Sequence, residues 1–124
     1  MIRRLVAGLA LAFTIPAVAA QPIAGRWLTA DGGAVVAIGP CGAVLCGRIV
    51  QVRKAPAAQA DRAKQAIGTA VLTGLVPDGE GWKGQLYNPK TGKTYNARVT
   101  REGATLKVQG CVSIICQTIV WTAA

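Results

Sequence analysis

Histidine is absent from this chain, and aromatic residues and acids are scarce. Of 124 residues, Phe, Trp and Tyr make up 5%, and Asp plus Glu number 5. Without histidine, the chain has no Ser-His-Asp triad, no histidine general base and no histidine-liganded metal. The single serine, Ser113, and the threonines lack a base that would activate them as nucleophiles. We therefore predict that the protein is not an enzyme, with no catalytic residues, no metal site and no cofactor.

Carboxylates offer the one remaining route to catalysis. Asp78 and Glu80 are close enough in sequence to act as a pair. They lie among glycines, however, in a pattern typical of a solvated hairpin turn. An enzyme that works with carboxylates alone is the weakest of the functional hypotheses.

The first 20 residues have the pattern of a secretory signal peptide. Arg3 and Arg4 give a positive start, residues 5–18 form an uncharged apolar run, and small residues follow. The run is shorter than the roughly 20 apolar residues of a membrane-spanning helix. We predict a signal peptide over residues 1–20 that is cleaved near Ala19 or Ala20, one domain over residues 21–124, no transmembrane segment after cleavage, and a periplasmic or secreted location.

Basic residues outnumber acids by 14 to 5. Loss of Arg3 and Arg4 with the signal peptide leaves 12 basic residues against 5 acids, a net charge of +7. No stretch clusters these residues, and an exported protein does not meet nucleic acid, so we predict no nucleic-acid partner. Anionic envelope surfaces or acidic solutes would be attracted to such a charge.

After residue 24, short runs of β-forming residues alternate with turns that contain Gly or Pro. Tyr95, Ala97 and Val99 alternate with polar residues, which places one face of a strand on a core. Sequential hairpins predict an all-β fold, an eight-stranded antiparallel meander closed into a small barrel, with a two-sheet sandwich as the alternative. The link over residues 53–66 permits a helical turn or two. The predicted strands are residues 26–29, 34–38, 44–52, 69–76, 82–87, 93–101, 105–109 and 114–122.

The four cysteines form two pairs with the same spacing. We predict the disulfides Cys41–Cys46 and Cys111–Cys116, because a hairpin brings its two arms within reach. Cross-pairing of Cys41 with Cys111, a four-thiolate zinc site and a redox-active pair are the alternatives. The spacing is wider than in most zinc and redox motifs, and export favours oxidised cysteines.

Five segments carry motifs that can be compared with known families. The motifs are Gly25-x-Trp27, Ile38-x-Pro40-Cys41-Gly42-x-x-Leu45-Cys46-Gly47-Arg48, Gly74-Leu75-x-Pro77-Asp78-Gly79, Tyr87-x-Pro89-x-x-Gly92-Lys93-x-Tyr95, and Val108-x-Gly110-Cys111 to Cys116-x-Thr118-x-x-Trp121. The first motif looks like the Gly-x-Trp signature of lipocalin-type barrels. The whole set resembles the bacterial secreted family catalogued as domain of unknown function 2147. The resemblance implies a calycin-like β-barrel in the envelope, with no established activity or substrate.

Eight side chains are candidates for ligand or surface recognition. A small barrel either fills with side chains or holds one small ligand, and small residues such as Gly84 and Ala97 favour the second. The tryptophan side chains either pack in the core or form a flat surface on which a ligand binds. Arg48 and Arg98 either pair with an acidic head group or face solvent, and the Tyr87–Tyr95 hairpin is either a recognition point or a plain turn. The candidates are Trp27, Arg48, Trp82, Tyr87, Lys93, Tyr95, Arg98 and Trp121.

Two functional hypotheses from different classes follow from these observations. The leading one is a non-catalytic periplasmic binding module for a small apolar or amphipathic ligand, since the predicted fold is a barrel and catalytic residues are lacking. The alternative is a structural or interaction protein that docks on an envelope protein or an anionic surface, since the chain is basic.

Overall fold

The structure, a computed structural model, describes residues 19–54 and 57–124. Apart from Ala19 and Ala20, the predicted signal peptide lies outside the described residues. The eight strands of the described part form one closed antiparallel barrel in which each strand pairs with its neighbours in sequence. The predicted meander and its closure are confirmed, and the sandwich alternative is wrong.

Tight turns join most of the strands, and a longer link joins the third strand to the fourth. The strands are Gly25–Leu28 (β1), Ala34–Cys41 (β2), Val44–Val52 (β3), Ala70–Asp78 (β4), Gly81–Asn88 (β5), Lys93–Glu102 (β6), Thr105–Val112 (β7) and Ile115–Ala123 (β8). A 3₁₀ turn (Ala57–Gln59) and a short helix (Ala60–Gln65, α1) lie in the long link. The helical turn predicted there is confirmed.

The first and last strands close the barrel through a short contact. Trp27 lies opposite Ala123 and Leu28 lies opposite Thr122, whereas β7 and β8 pair over eight positions. Because β1 has only 4 residues, most of β8 runs past it. The β7–β8 hairpin therefore projects beyond the β1–β2 hairpin at the end of the barrel that carries α1, which we call the helix end.

The two disulfide-bearing hairpins extend further than the sequence predicts. β2 continues through Pro40, and β7 continues to Val112, so each connecting turn is only two residues long. Two-residue hairpin turns require backbone at positive φ. Gly42, at φ 72°, and Ser113, at φ 56°, adopt that conformation.

Both predicted disulfides are confirmed. Cys41 bonds Cys46 with a Cα–Cα distance of 5.8 Å, and Cys111 bonds Cys116 with a Cα–Cα distance of 4.1 Å. Each bridge joins the two arms of one hairpin near its turn. Cross-pairing and a four-thiolate zinc site are excluded, because these bonds occupy every cysteine sulfur.

Side chains fill the barrel interior in successive layers. Leu106, Val108 and Val99 are completely buried, as expected for the inward face of an antiparallel sheet. The strand registers place one layer at Trp82, Val99, Val108 and Ile119, and the next layer towards the helix end at Gly84, Ala97, Gly110 and Gln117. The second layer is the one whose small side chains suggest room for a ligand.

Two glycines in that second layer do not leave empty space. A Cβ at Gly84 would collide with the backbone oxygen of Thr73 and would lie 2.8 Å from Leu75 Cδ2. Leu75 is completely buried, so its side chain occupies the space that Gly84 leaves. A Cβ at Gly110 would lie 3.2 Å from Leu86 Cδ2. The expectation that small inward residues leave room for a ligand does not hold at Gly84.

Candidate functional site

The segment before β1 covers one end of the barrel, which we call the N-terminal end. Trp27 Nε1 donates a hydrogen bond to the backbone oxygen of Ile23 at 2.9 Å, and Trp82 Nε1 donates to the backbone oxygen of Gln21 at 2.9 Å. Ile23 is completely buried and belongs to the core. Residues 21–24 therefore seal this end with their own backbone and one apolar side chain.

Arg101 fastens the same segment from β6. Its guanidinium donates to the backbone oxygen of Pro22 at 2.8 Å and to that of Gly103 at 2.9 Å. The guanidinium carbon also lies 5.3 Å from the centre of the Trp27 ring, within range of a cation–π interaction. Hydrogen bonds and a cation–π contact, in addition to packing, thus hold the segment at the N-terminal end.

Trp121 is the inward-facing indole that has no hydrogen-bond partner. It is 3% exposed, and its Nε1 has no acceptor among the described residues. A buried N–H without an acceptor is costly and uncommon in proteins. Trp121 therefore presents an unused donor inside an otherwise apolar interior.

The helix end is built differently, because inward-facing side chains of β5 to β8 stay partly exposed there. Leu86 pairs with Tyr95 across β5 and β6, and both contact the space at Gly110. On β8, Ile119 lies opposite buried Val108 and is nevertheless 40% exposed. We call this inward-facing, partly exposed group the mouth; its residues are Leu86, Tyr95, Gly110, Gln117 and Ile119.

The mouth combines apolar side chains with two polar groups. Leu86 and Ile119 supply hydrocarbon, while Tyr95 and Gln117 supply a phenol and an amide on the same face. One position further along that face of β6 lies Lys93, which is exposed. At the same end, Ala66, which directly follows α1, packs against the core. Such a surface suits a molecule with an apolar body and a polar head.

Two grooves, one on the outer wall and one at the N-terminal end, are alternative sites. One, of 460 Å³, lies on the outer wall between Thr73, Lys83 and Asn96, where the β4 register shifts. The other, of 350 Å³, lies between the Cys41–Cys46 hairpin and Trp82. Both are open to solvent, and neither includes a mouth residue.

The two predicted arginines lie on the outer wall, away from the mouth. Arg48 is exposed and donates to the backbone oxygen of Gly68 at 3.0 Å. Arg98 donates to Asp78 Oδ2 at 2.9 Å and to the Asp78 backbone oxygen at 3.0 Å. These contacts tie neighbouring segments together, so both guanidinium groups have structural partners. Asp78 is therefore engaged by Arg98, whereas Glu80 is exposed in the adjoining turn.

The eight predicted site residues thus fall into three places. Trp27, Trp82 and Trp121 belong to the packed interior and the N-terminal end. Arg48, Arg98 and Tyr87 lie on the outer wall, since Tyr87 alternates with inward-facing Leu86. Tyr95 is a mouth residue, and Lys93 lies next to it on the same face of β6.

Gln117 and Ile119 are mouth residues that the sequence analysis did not single out. Alternation along β8 does carry a signal, because Ile115, Gln117, Ile119 and Trp121 share one face. What the pattern does not reveal is that β8 runs past β1, which is the reason these inward-facing positions are exposed.

Asp31 lies in the β1–β2 turn at the helix end, and its pKa is lowered. Hydrogen bonds from the Gly33 backbone N–H and the Thr29 hydroxyl hold the pKa of this carboxyl below its usual value. Lys90 Nζ lies 3.9 Å from Asp31 Oδ2 and acts in the same direction. The carboxylate therefore stabilises its own turn.

Within the part of the chain that the structure describes, no three cysteine or carboxylate side chains converge as a metal site would require. In the same residues, no helix has the length and apolar character needed to cross a membrane.

A closed eight-stranded antiparallel barrel, sealed at one end and with inward-facing apolar side chains exposed at the other, is a lipocalin-like barrel. The chain belongs to the family DUF2147, described as an uncharacterized protein conserved in bacteria, whose model matches residues 25–123. Among solved structures, the chain is similar to protein HP1028 from the human pathogen Helicobacter pylori, which is described as belonging to the lipocalin family. The identity is 17%, the TM-score is 0.62, and the match covers 83% of each chain. No curated protein matches this chain in sequence.

These comparisons confirm the predicted family and the calycin-like fold. At this level of identity the structural likeness concerns the fold alone, and function has to be argued from the site.

Proposed function

We propose that this protein is a non-catalytic binding module that holds a small apolar or amphipathic ligand at the mouth. The observation that carries the proposal is the exposure of inward-facing apolar side chains at the helix end. Apolar groups inside a barrel are normally buried, and Leu86 and Ile119 gain most if a ligand covers them. A ligand that fills the mouth would remove this apolar surface from water.

The packed layers below the mouth limit the depth of this site. Leu75 occupies the space at Gly84, and Leu86 leans over Gly110, so a ligand does not pass between these side chains. It reaches Ile119, one layer deeper, along β8, where β1 does not pair with it. Tyr95, Gln117 and Lys93 then lie where a polar head group would meet water. This arrangement favours a compact amphipathic molecule over a long chain that threads the whole barrel.

Adjacent residues of β8 provide a matched test of the site. Ile119 faces the interior and is 40% exposed, while Val120 faces the outer wall and is 44% exposed. Ile119→Ser should weaken binding of an apolar fluorescent probe, such as anilinonaphthalene sulfonate, by about tenfold, since burial of such a side chain stabilises by about 1.5–3 kcal/mol. Val120→Ser should leave the dissociation constant unchanged.

Fluorescence titrations measure the dissociation constant of the probe for both variants, and circular dichroism checks that each variant is folded. Equal losses in the two variants, or no binding by the unaltered protein, would contradict a site at the mouth. Native mass spectrometry of protein taken from its own envelope would then identify a retained molecule.

We also propose a periplasmic or secreted location, reached with a signal peptide that is removed near Ala20. Two disulfides are typical of oxidising compartments and rare in the cytoplasm. N-terminal sequencing of the exported protein tests the cleavage point, and a chain that still begins at Met1 would contradict it.

A further inference from the structure

The turn of the β7–β8 hairpin exposes a cluster of large apolar side chains. Val112 is 58% exposed, Ile114 is 94% exposed and Ile115 is 73% exposed. Together with Ser113 they form what we call the tip. No charged side chain follows Lys107 in the sequence, so the half of this hairpin that carries the tip is uncharged. Contiguous exposed apolar residues on a small protein mark an interaction site.

The tip is held in shape and does not depend on a partner to form. Cys111 and Cys116 lie directly opposite each other at its base and are bonded. The turn itself contains Ser113 at φ 56°, a conformation that shortens the connection to two residues. Because the turn already holds Ile114 and Ile115 in place, less conformational entropy is lost when an association buries them.

Basic residues lie at the same end of the barrel as the tip. On the adjacent hairpin, Asn96 pairs with Cys111, so β6 from Lys93 to Tyr95 runs alongside the tip, and Lys90 lies in the turn before it. The described connections and strand ends at the helix end carry six basic residues against two acids. The basic residues are Arg53, Lys54, Arg62, Lys64, Lys90 and Lys93, and the acids are Asp31 and Asp61.

The other acids lie at the opposite end. Asp78, Glu80 and Glu102 are in or next to the turns of the N-terminal end, where Arg98 and Lys107 form ion pairs with Asp78 and Glu102. The helix end thus has a net charge of +4, and the rest of the described chain, with six basic residues and these three acids, has +3. Both ends are basic, but the exposed apolar tip lies at the helix end.

We propose that the tip inserts into a lipid bilayer whose surface is anionic, with the basic residues of the helix end on the head groups. Apolar side chains combined with flanking lysines and arginines are the chemistry that binds such a surface. Ile114 and Ile115 enter the acyl boundary, while Lys90 and Lys93 remain at the level of the phosphates. This inference does not depend on a ligand at the mouth.

Charge and shape favour a bilayer over a protein partner. A second copy that met the tip head-on would place Lys90 and Lys93 against the same lysines, and like charges repel. The tip is a protruding turn of four residues, far from the roughly 800 Å² per partner of a stable protein interface. A fluid bilayer needs no matching pocket to receive it.

Co-sedimentation with vesicles tests the proposal. The unaltered protein should bind vesicles with about 30% phosphatidylglycerol in phosphatidylcholine and should bind pure phosphatidylcholine weakly, with affinity that falls as salt rises. Ile114→Ser/Ile115→Ser should weaken binding at least tenfold, roughly the effect expected from the loss of two inserted side chains. Lys90→Gln/Lys93→Gln should weaken binding to the anionic vesicles by about tenfold.

Matched controls distinguish the tip from apolar or basic character in general. Val50→Ser/Val120→Ser removes two exposed apolar residues of the outer wall, and Lys83→Gln/Lys107→Gln removes two lysines outside the helix end; both should bind as the unaltered protein does. Equal binding by the tip variant, or equal binding to neutral vesicles, would overturn the proposal. So would a shift from dimer to monomer by the tip variant without lipid, since it would assign the tip to a second copy.

Discussion

At the scale of single residues, the two buried tryptophans, Trp27 and Trp121, differ in whether the indole N–H has a hydrogen-bond acceptor. Trp27 and Trp121 are 2% and 3% exposed, but only the Trp27 indole N–H has an acceptor, the Ile23 backbone oxygen at 2.9 Å. Replacement by Phe removes a similar volume from each site, so the packing losses largely cancel in a comparison. We predict that Trp27→Phe lowers the free energy of unfolding by about 1–2 kcal/mol more than Trp121→Phe does, because a paired donor is lost in one case and an unpaired donor in the other.

Urea unfolding of the two variants, followed by circular dichroism, measures this difference. The Arg101 contact with the Trp27 ring survives in the Phe variant in weaker form and adds only a few tenths of a kcal/mol. Equal destabilisation by both substitutions would mean that the Trp121 N–H does have a favourable partner, such as an ordered water, in solution.

At the scale of elements, the first half of β8 is paired with β7 alone, whereas β7 is also paired with β6. β8 contacts β1 only through Leu28 and Trp27, and its exposed part is tied together by the Cys111–Cys116 bond. We predict that Cys111→Ser/Cys116→Ser accelerates amide exchange over residues 111–118 by at least about tenfold, since local opening then precedes global unfolding. Global stability should fall by up to about 2 kcal/mol, the entropic estimate for so short a loop.

Hydrogen exchange by mass spectrometry, with Cys41→Ser/Cys46→Ser as the control, separates the local effect from the global one. The control removes an equally short loop at the N-terminal end and should leave exchange over residues 111–118 unchanged. Identical exchange in the two variants would show that the hairpin does not open on its own.

Elements with strong turn residues are predicted well from sequence, whereas those shaped by distant contacts are not. Asn88, Pro89 and Gly92 fix a turn by local backbone preference, and the β5–β6 hairpin lies where they predict it. Pro40 looks like a turn residue as well, yet it lies within β2. The two-residue turn beyond it and the disulfide, neither of which depends on Pro40, decide where that hairpin ends.

Only part of the candidate site is predictable from sequence, because some of its residues are positioned by local pattern and others by contacts between distant strands. Tyr95 follows from alternation along β6, and Lys93 follows from the polar, aromatic composition of the Tyr87–Tyr95 hairpin. The β4 register shift between Thr73 and Val76 depends on how Leu75 packs over Gly84, a contact between strands that no local pattern records. Exposure of Ile119 depends on the stagger of β8 against β1, which only the closed barrel defines.

At the scale of the whole molecule, closure depends on a segment that belongs to no strand. Residues 21–24 receive hydrogen bonds from Trp27, Trp82 and Arg101, and these side chains come from three different strands. The predicted cleavage after Ala20 would leave Gln21, the first residue that takes part in this network, at the new N-terminus. The predicted mature chain would thus begin with the first residue that accepts one of these hydrogen bonds.

Ile23 is the side chain through which this dependence can be measured. It is completely buried in the core although it precedes β1, so Ile23→Ala should lower the free energy of unfolding by about 2–5 kcal/mol, as in other large-to-small core substitutions. Ile67→Ala, at a residue that is 49% exposed, should cost less than about 1 kcal/mol. Because the segment also anchors β1, we expect exchange of the β1 and β8 amides to rise in Ile23→Ala more than that of β5 and β6. Uniform exchange across all strands would show instead that the barrel opens only as one unit, with the short β1–β8 contact no weaker than the rest.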